Sequence, residues 1–262
     1  MYLIAFAWRA HPRYRLVLVA NRDEFHSRPT LPLAPWEDAP DVIGGRDAVH
    51  GGGWLALRGG RLAAVTNVRK LPQREGRSRG GLVADFVRGD AAVSPVVDAL
   101  AVEADAYPPF NLLLHDGDAL AFASNHPAFD ARALPPGVHG ISNGALDAPW
   151  PKTAALMARV DAWLGAPTAM CAVADVSPLF EALADTALAP DDRLPDTGVG
   201  LERERFLSPA FIAHPVYGTR ASTVVLIADD HAEIVERRFG PDAAPLGETR
   251  ERIALRRSIP GR

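Results

Sequence analysis

Four pairs of short apolar runs, each pair split by a brief turn, constrain this 262-residue chain more than any other feature. Leu3 to Trp8 and Leu16 to Ala20 flank Ala10-His11-Pro12-Arg13, whose proline and polar residues suit a turn between strands. Trp54 to Leu57 and Leu62 to Asn67 flank Gly59-Gly60, a two-residue loop suited to the positive φ of tight hairpins. Leu112 to His115 and Ala119 to Ala123 flank Gly117, and Val224 to Ala228 and Glu233 to Arg237 flank Asp229-Asp230. Antiparallel pairing therefore dominates. The segment from Arg28 to Asp41 carries Pro29, Pro32, Pro35 and Pro40, which remove backbone donors, and reads as an ordered surface loop.

Helices fall between these hairpins. Ser94-Pro95, Pro151 and Ser177-Pro178 fit helix starts. After Pro151, the residues Leu156, Val160, Trp163 and Leu164 share one helical face, and Gly165 can end it. Leu82, Phe86 and Val87 suggest another helix after Gly80-Gly81. Strand pairs interleaved with amphipathic helices, without βαβ alternation, indicate an α+β chain whose helices cover antiparallel sheets. No interdomain linker or internal repeat is visible, so residues 1–262 read as a single domain.

Composition removes several function classes. With 48% hydrophobic and 23% charged residues, the chain is neither disordered nor collagen-like. No apolar run reaches the roughly 18 residues of a membrane span, and Arg9 interrupts the first run too early for a signal-peptide core. A cytoplasmic location is expected. A net charge of -4 gives no global attraction to nucleic acid or anionic lipid. All basic residues but Lys70 and Lys152 are arginines, a bias that suggests a GC-rich bacterial genome more than a binding function. Cys171, the lone cysteine, cannot form an internal disulfide or a thiolate metal site, and reads as a small packed apolar residue. The eight histidines show no H-E-x-x-H or i, i+4 spacing, so no preformed metal site is expected. Gly51-Gly52-Gly53 lacks the lysine and Ser/Thr of a phosphate loop and reads as a turn before the Trp54 strand. The five tryptophans read as core or loop packing.

The second apolar run ends in Asn21-Arg22-Asp23-Glu24, four polar residues where a strand leaves its sheet. Alone, this is a turn with a surface ion pair, or a charged pair that tunes a nearby group. Downstream come Gly44-Gly45-Arg46-Asp47, Gly51-Gly52-Gly53-Trp54, Val65-Thr66-Asn67, Ser78-Arg79-Gly80, Ser142-Asn143-Gly144, Gly218-Thr219-Arg220 and Ser222-Thr223-Val224. In that order and spacing, from Leu3 to about Val225, the segments resemble the NRDE family of transport-and-Golgi-organisation type proteins.

That family looks like a branch of the N-terminal nucleophile (Ntn) hydrolases, similar to choloylglycine hydrolase and penicillin V acylase. The resemblance implies a four-layer αββα fold with two stacked antiparallel sheets. It implies an N-terminal cysteine, exposed by loss of the initiator methionine, whose thiol attacks an amide carbonyl while its own α-amine moves the proton. Carried over by motif position, Arg22 and Asp23 would orient and charge-tune that terminus. Asn67 and Asn143 would shape the oxyanion site and hold the α-amine. Arg220 would close the pocket.

Residue 2, however, is Tyr2. A phenol with an ordinary pKa near 10 is protonated at pH 7, and so large a side chain should leave Met1 in place, blocking the amine. The leading expectation is an Ntn-hydrolase-like pocket that binds a small hydrophobic or amide-bearing ligand without the usual nucleophile. An active C-N hydrolase is the alternative. No cofactor is required. Haem or an acyl compound is a ligand that the resemblance raises, and His26 or His50 could ligate the iron. A third reading takes Gly140-Ile141-Ser142-Asn143-Gly144 as G-x-S-x-G, with His214 and His231 downstream. The two prolines Pro149 and Pro151 and the antiparallel context count against the strand-to-helix elbow it needs.

Overall fold

The computed structural model describes residues 2–70, 75–171 and 173–255. Met1 lies outside them, so the expectation about its retention is not a structural matter. In chain order the strands are β1 (Tyr2–Trp8), β2 (Tyr14–Phe25), β3 (Thr30–Trp36), β4 (Ala39–Asp47), β5 (Gly53–Arg58), β6 (Arg61–Asn67), β7 (Phe110–His115), β8 (Leu120–Ser124), β9 (Asp130–Ala133), β10 (Gly137–Ile141), β11 (Tyr217–Ala228), β12 (His231–Phe239) and β13 (Pro245–Ala254). The helices are α1 (Arg79–Arg88), α2 (Val93–Glu103), α3 (Pro151–Leu164), α4 (Ser177–Leu183) and α5 (Leu201–Phe206).

The strands form two antiparallel sheets, one ordered β10-β1-β2-β11-β12-β13 and the other β3-β4-β5-β6-β7-β8-β9. Period-two alternation sorts their side chains into three apolar layers. Ile4, Phe6 and Trp8 of β1 meet Leu55, Leu57 and Leu113 between the sheets. Leu3, Ala5 and Ala7 point the other way, against Leu156 and Val160 of α3 and Leu179 of α4. Ala56, Ala63 and Leu112 cover the outer face of the second sheet beneath Val83 and Val87 of α1 and Leu100 of α2. Helices, sheet, sheet and helices thus stack as four layers of an α+β fold.

All four expected hairpins form: β1 with β2, β5 with β6, β7 with β8, and β11 with β12. Pro151 opens α3, Leu156, Val160 and Trp163 are buried along it, and Gly165 follows its last turn. The other starts shift: α2 begins at Val93, one residue before Ser94, and α4 has Val176 as its cap, with Ser177 already helical. Gly80 and Gly81 lie inside the first turn of α1 rather than before it.

Two expectations are corrected. The proline-rich Arg28 to Asp41 segment is not a loop, because it contains β3 and the start of β4. Strand β3 is an edge, where missing donors can face away from the ladder, and its register shifts between Leu31 and Ala34 and again after Pro35. Cys171 is not packed but exposed, just after a short 3-10 turn whose buried position goes to Ala169.

Candidate functional site

The pairing of the first two strands also places a set of polar residues in the interior. Tyr2 pairs with Arg22 across β1 and β2, and Arg22 pairs with Ala221 on β11. Alternation then divides the Asn21-Arg22-Asp23-Glu24 tetrapeptide between two layers. Asn21 and Asp23 follow Val17 and Val19 toward the helices, whereas Arg22 and Glu24 follow Leu16, Leu18 and Ala20 toward the space between the sheets. Asn21, fully buried, donates to the carbonyls of Leu183 and Ala210 at 2.8 and 2.7 Å and accepts from the Ser222 hydroxyl at 2.6 Å. Asp23 accepts from the Thr219 hydroxyl at 2.7 Å.

On the opposite face, Tyr2, Arg22 and Glu24 border a cavity of about 480 Å³ at this end of the sandwich. The second sheet adds Asp47, Gly53, Trp54, Thr66 and Asn67, and the N-terminus of α1 adds Ser78, Arg79 and Gly80. A side chain at Gly52 would place Cβ 2.4 Å from the carbonyl carbon of Gly80. The middle glycine of Gly51-Gly52-Gly53 therefore lets two backbones touch and seats α1 at the cavity wall.

Arg22 is 3% exposed, and its guanidinium stacks 4.4 Å from the Trp54 ring. Its Nε is buried without a hydrogen-bond partner, and its only ion pair among the described residues is with Glu24 at 3.8 Å. Burial pushes the Tyr2 phenol above its ordinary value, although a hydrogen bond and the charge of Arg22 pull it down. Arg28 binds Asp47 at 2.6 Å and lies 3.9 Å from Glu24. Burial opposes ionisation of Asp47, but Arg28 and the N–H groups of Val49 and His50 outweigh it and hold that carboxyl below its usual range. Arg79 donates to the Pro109 carbonyl at 3.2 Å.

The six expected positions separate into distinct roles. Tyr2, Arg22 and Asn67 border the cavity, whereas Asp23, Asn143 and Arg220 do not. Asn143 donates to both the backbone and side-chain oxygens of Asn67 at 2.9 Å, which leaves its own Oδ1 buried and without a partner. Arg220 is the extra residue where the β2–β11 register shifts, and it donates to the carbonyls of Phe25, His26 and Arg28. It fastens the turn after β2 rather than closing the pocket. Glu24, Arg28, Asp47 and Arg79 received no role from the sequence. Glu24 was recoverable from strand parity with Arg22; the others meet the cavity only through tertiary folding.

Ser142 is 3% exposed and donates to the Tyr2 carbonyl at 3.1 Å. No elbow exists there, since β10 ends at Ile141 and α3 begins only at Pro151. His231 opens β12 and pairs with Ala254, at the sheet end opposite Tyr2, and His214 Nδ1 accepts from the N–H groups of Val216 and Tyr217. The G-x-S-x-G reading therefore fails on its required context. His26 Nε2 lies 3.1 Å from the His214 carbonyl, and its Nδ1 is buried. His50 stands exposed at the cavity rim, its Nδ1 3.1 Å from Arg28. Among the described residues no group of three His, Cys, Asp or Glu side chains could hold a metal ion, and no helix is long and apolar enough to cross a membrane.

Comparison with known proteins agrees with the motif order. The family Transport and Golgi organisation 2 matches residues 1–241. The chain is 32% identical over 257 residues to the human Transport and Golgi organization protein 2 homolog, covering 90% of this chain and 91% of that protein. It is 32% identical over 246 residues to the bovine homolog, covering 86% of each. The Drosophila melanogaster Transport and Golgi organization protein 2 is 38% identical over 98 residues, 33% of this chain and 35% of that protein. The chain belongs to the Transport and Golgi organisation 2 family.

Proposed function

We propose that this family member uses the cavity at the Tyr2 end of its sandwich to bind a small acyl- or amide-bearing molecule without cleaving it. The observation that carries the reading is the position of Tyr2. It occupies the end of β1 beside Arg22 and a cavity of about 480 Å³, where an Ntn hydrolase would present its nucleophile. The four-layer arrangement and the Asn67–Asn143 pair support the Ntn likeness. Burial raises the Tyr2 phenol, so a phenolate nucleophile is unavailable near neutral pH. Cys171 is exposed and does not border the cavity.

Haem fits this lining poorly. His26 has one ring nitrogen engaged and the other buried, and His50 lies against the Arg28 guanidinium. Arginines and carboxylates interrupt the apolar lining of Phe25, Trp54, Val65 and Tyr217.

The test is binding without turnover. Octanamide should bind the purified protein in a calorimetric titration while remaining intact after prolonged incubation, as checked by mass spectrometry. Hydrolysis that persists in Ser142→Ala would replace this reading with an active amide hydrolase, and hydrolysis abolished by that change would restore the serine mechanism.

A further inference from the structure

The charges around the cavity do not balance. Four arginines border it, Arg22, Arg28, Arg77 and Arg79, against two carboxylates, Glu24 and Asp47. Two of those arginines are matched: Arg28 with Asp47 at 2.6 Å, and Arg77 with Glu103 at 2.6 Å. Glu24 must serve both Arg22 and Arg28 at 3.8 and 3.9 Å, and it also accepts the Phe25 N–H. Arg79 has no carboxylate within 4 Å among the described residues.

Two independent features point the same way. Arg22 is nine-tenths buried or more, borders the cavity, and keeps its Nε without a partner. An unmatched buried donor on a charged group is costly unless something fills it. Beside it, the ten-residue helix α1 begins at the cavity wall with no side-chain cap on Ser78 and no acidic residue in its first turn. Neither a side-chain cap nor a first-turn acidic residue offsets its positive dipole end, while the Gly81 N–H bonds the Ser78 carbonyl at 3.0 Å. A helix start and arginine forks together favour carboxylate or phosphate oxygens.

We propose that the cavity is an oxyanion site, in which Arg22, Arg79 and the first turn of α1 hold the carboxylate or phosphate end of the bound molecule. This rests on the ligand-binding reading above and sharpens it: the acyl part lies along Trp54 and Tyr217, and the anionic end points to α1.

Titrations of octanoate, octyl phosphate and octanamide, followed by Trp54 fluorescence and calorimetry, test it. Either anion should bind about tenfold or more tightly than octanamide, and whichever of the two binds better identifies the source of the oxyanion. Arg79→Gln should weaken the anions about tenfold or more and octanamide by far less, so that the anion preference collapses. Arg79→Lys keeps the charge, so it should retain part of that affinity and guards against a folding defect. Arg132→Gln, on the distant β9 edge, should change nothing. Equal binding of all three probes, unaffected at Arg79, would overturn the oxyanion assignment and leave the ligand pocket standing. Failure of all three to bind would overturn the pocket reading itself and the oxyanion with it.

Discussion

Lowering the pH should weaken the fold through one histidine far from the cavity. His115 is fully buried at the end of β7. Its Nδ1 lies 2.8 Å from the Gly60 carbonyl, which can only accept, so the proton sits on Nδ1. Nε2 is then bare, buried and without a partner, and the ring meets Trp8 edge-on at 5.2 Å. Adding a second proton would place a charge where nothing solvates it, and burial lowers the His115 pKa from 6.5 to about 4. The unfolded chain takes up that proton below pH 6.5 and the folded one does not, so the unfolded state gains on acidification. Stability is fully present above pH 6.5, falls as pH drops toward 4, and levels off below. A displacement of that size corresponds to about 3 kcal/mol, with a slope approaching about 1.4 kcal/mol per pH unit. Urea unfolding from pH 7.5 to 4.5 should therefore lose about 2 to 3 kcal/mol more in the native sequence than in His115→Asn, which keeps a donor near Gly60 but cannot titrate. Parallel curves for the two proteins would refute the reasoning.

Intact mass of the purified protein should include Met1, since Tyr2 is too large for ordinary methionine removal; a mass short by one methionine contradicts this. Tyr2→Cys should lose Met1 and show thiol labelling at residue 2 as well as at exposed Cys171. Gly52→Ala should cost about 1–3 kcal/mol in denaturant unfolding and weaken probe binding, because its Cβ must push the Gly80 backbone at the start of α1; unchanged values would mean the two backbones separate freely. Glu204→Ala should cost about 3–5 kcal/mol, because it leaves buried Arg69 without the carboxylate 2.6 Å away; a loss under about 1 kcal/mol would show that the pair behaves as if solvated.

The sheets were legible in the sequence because each hairpin carries its own local punctuation. Gly59-Gly60 and Asp229-Asp230 sit between apolar runs, and no distant partner is needed to read them. Strand β3 was not legible, since prolines argue against strands in general, and only its edge position makes them tolerable. Strand β10 depends on pairing with β1, more than a hundred residues earlier, and β13 pairs through alternating exposed residues that carry no core pattern. Cys171 misled for a related reason: an apolar neighbourhood in sequence became a surface turn in space.

At the site, motif order pointed to Tyr2, Arg22 and Asn67, which border the cavity, and equally to Asp23, Asn143 and Arg220, which do not. The division follows from one fact that a linear reading lacks, namely that β2 is an interior strand with a helical layer on one face and a second sheet on the other. In such a strand, consecutive polar residues cannot act as one group. Asn21 and Asp23 must satisfy their hydrogen bonds among helix-side carbonyls and hydroxyls, while Arg22 and Glu24 must find theirs between the sheets. A cluster that looks like a single charged motif is thus a seam with two functions. Its helix-side half anchors the strand, and its interior half leaves Arg22, which borders the cavity, with an unmatched buried donor. Substitutions in the tetrapeptide should therefore separate: Asn21→Ala should reduce stability at pH 7 by about 1–3 kcal/mol through the orphaned Leu183 and Ala210 carbonyls, whereas Arg22→Gln should spare more of the stability and remove anion binding. If both changes affected stability and binding in the same proportion, the alternation of roles along β2 would be wrong.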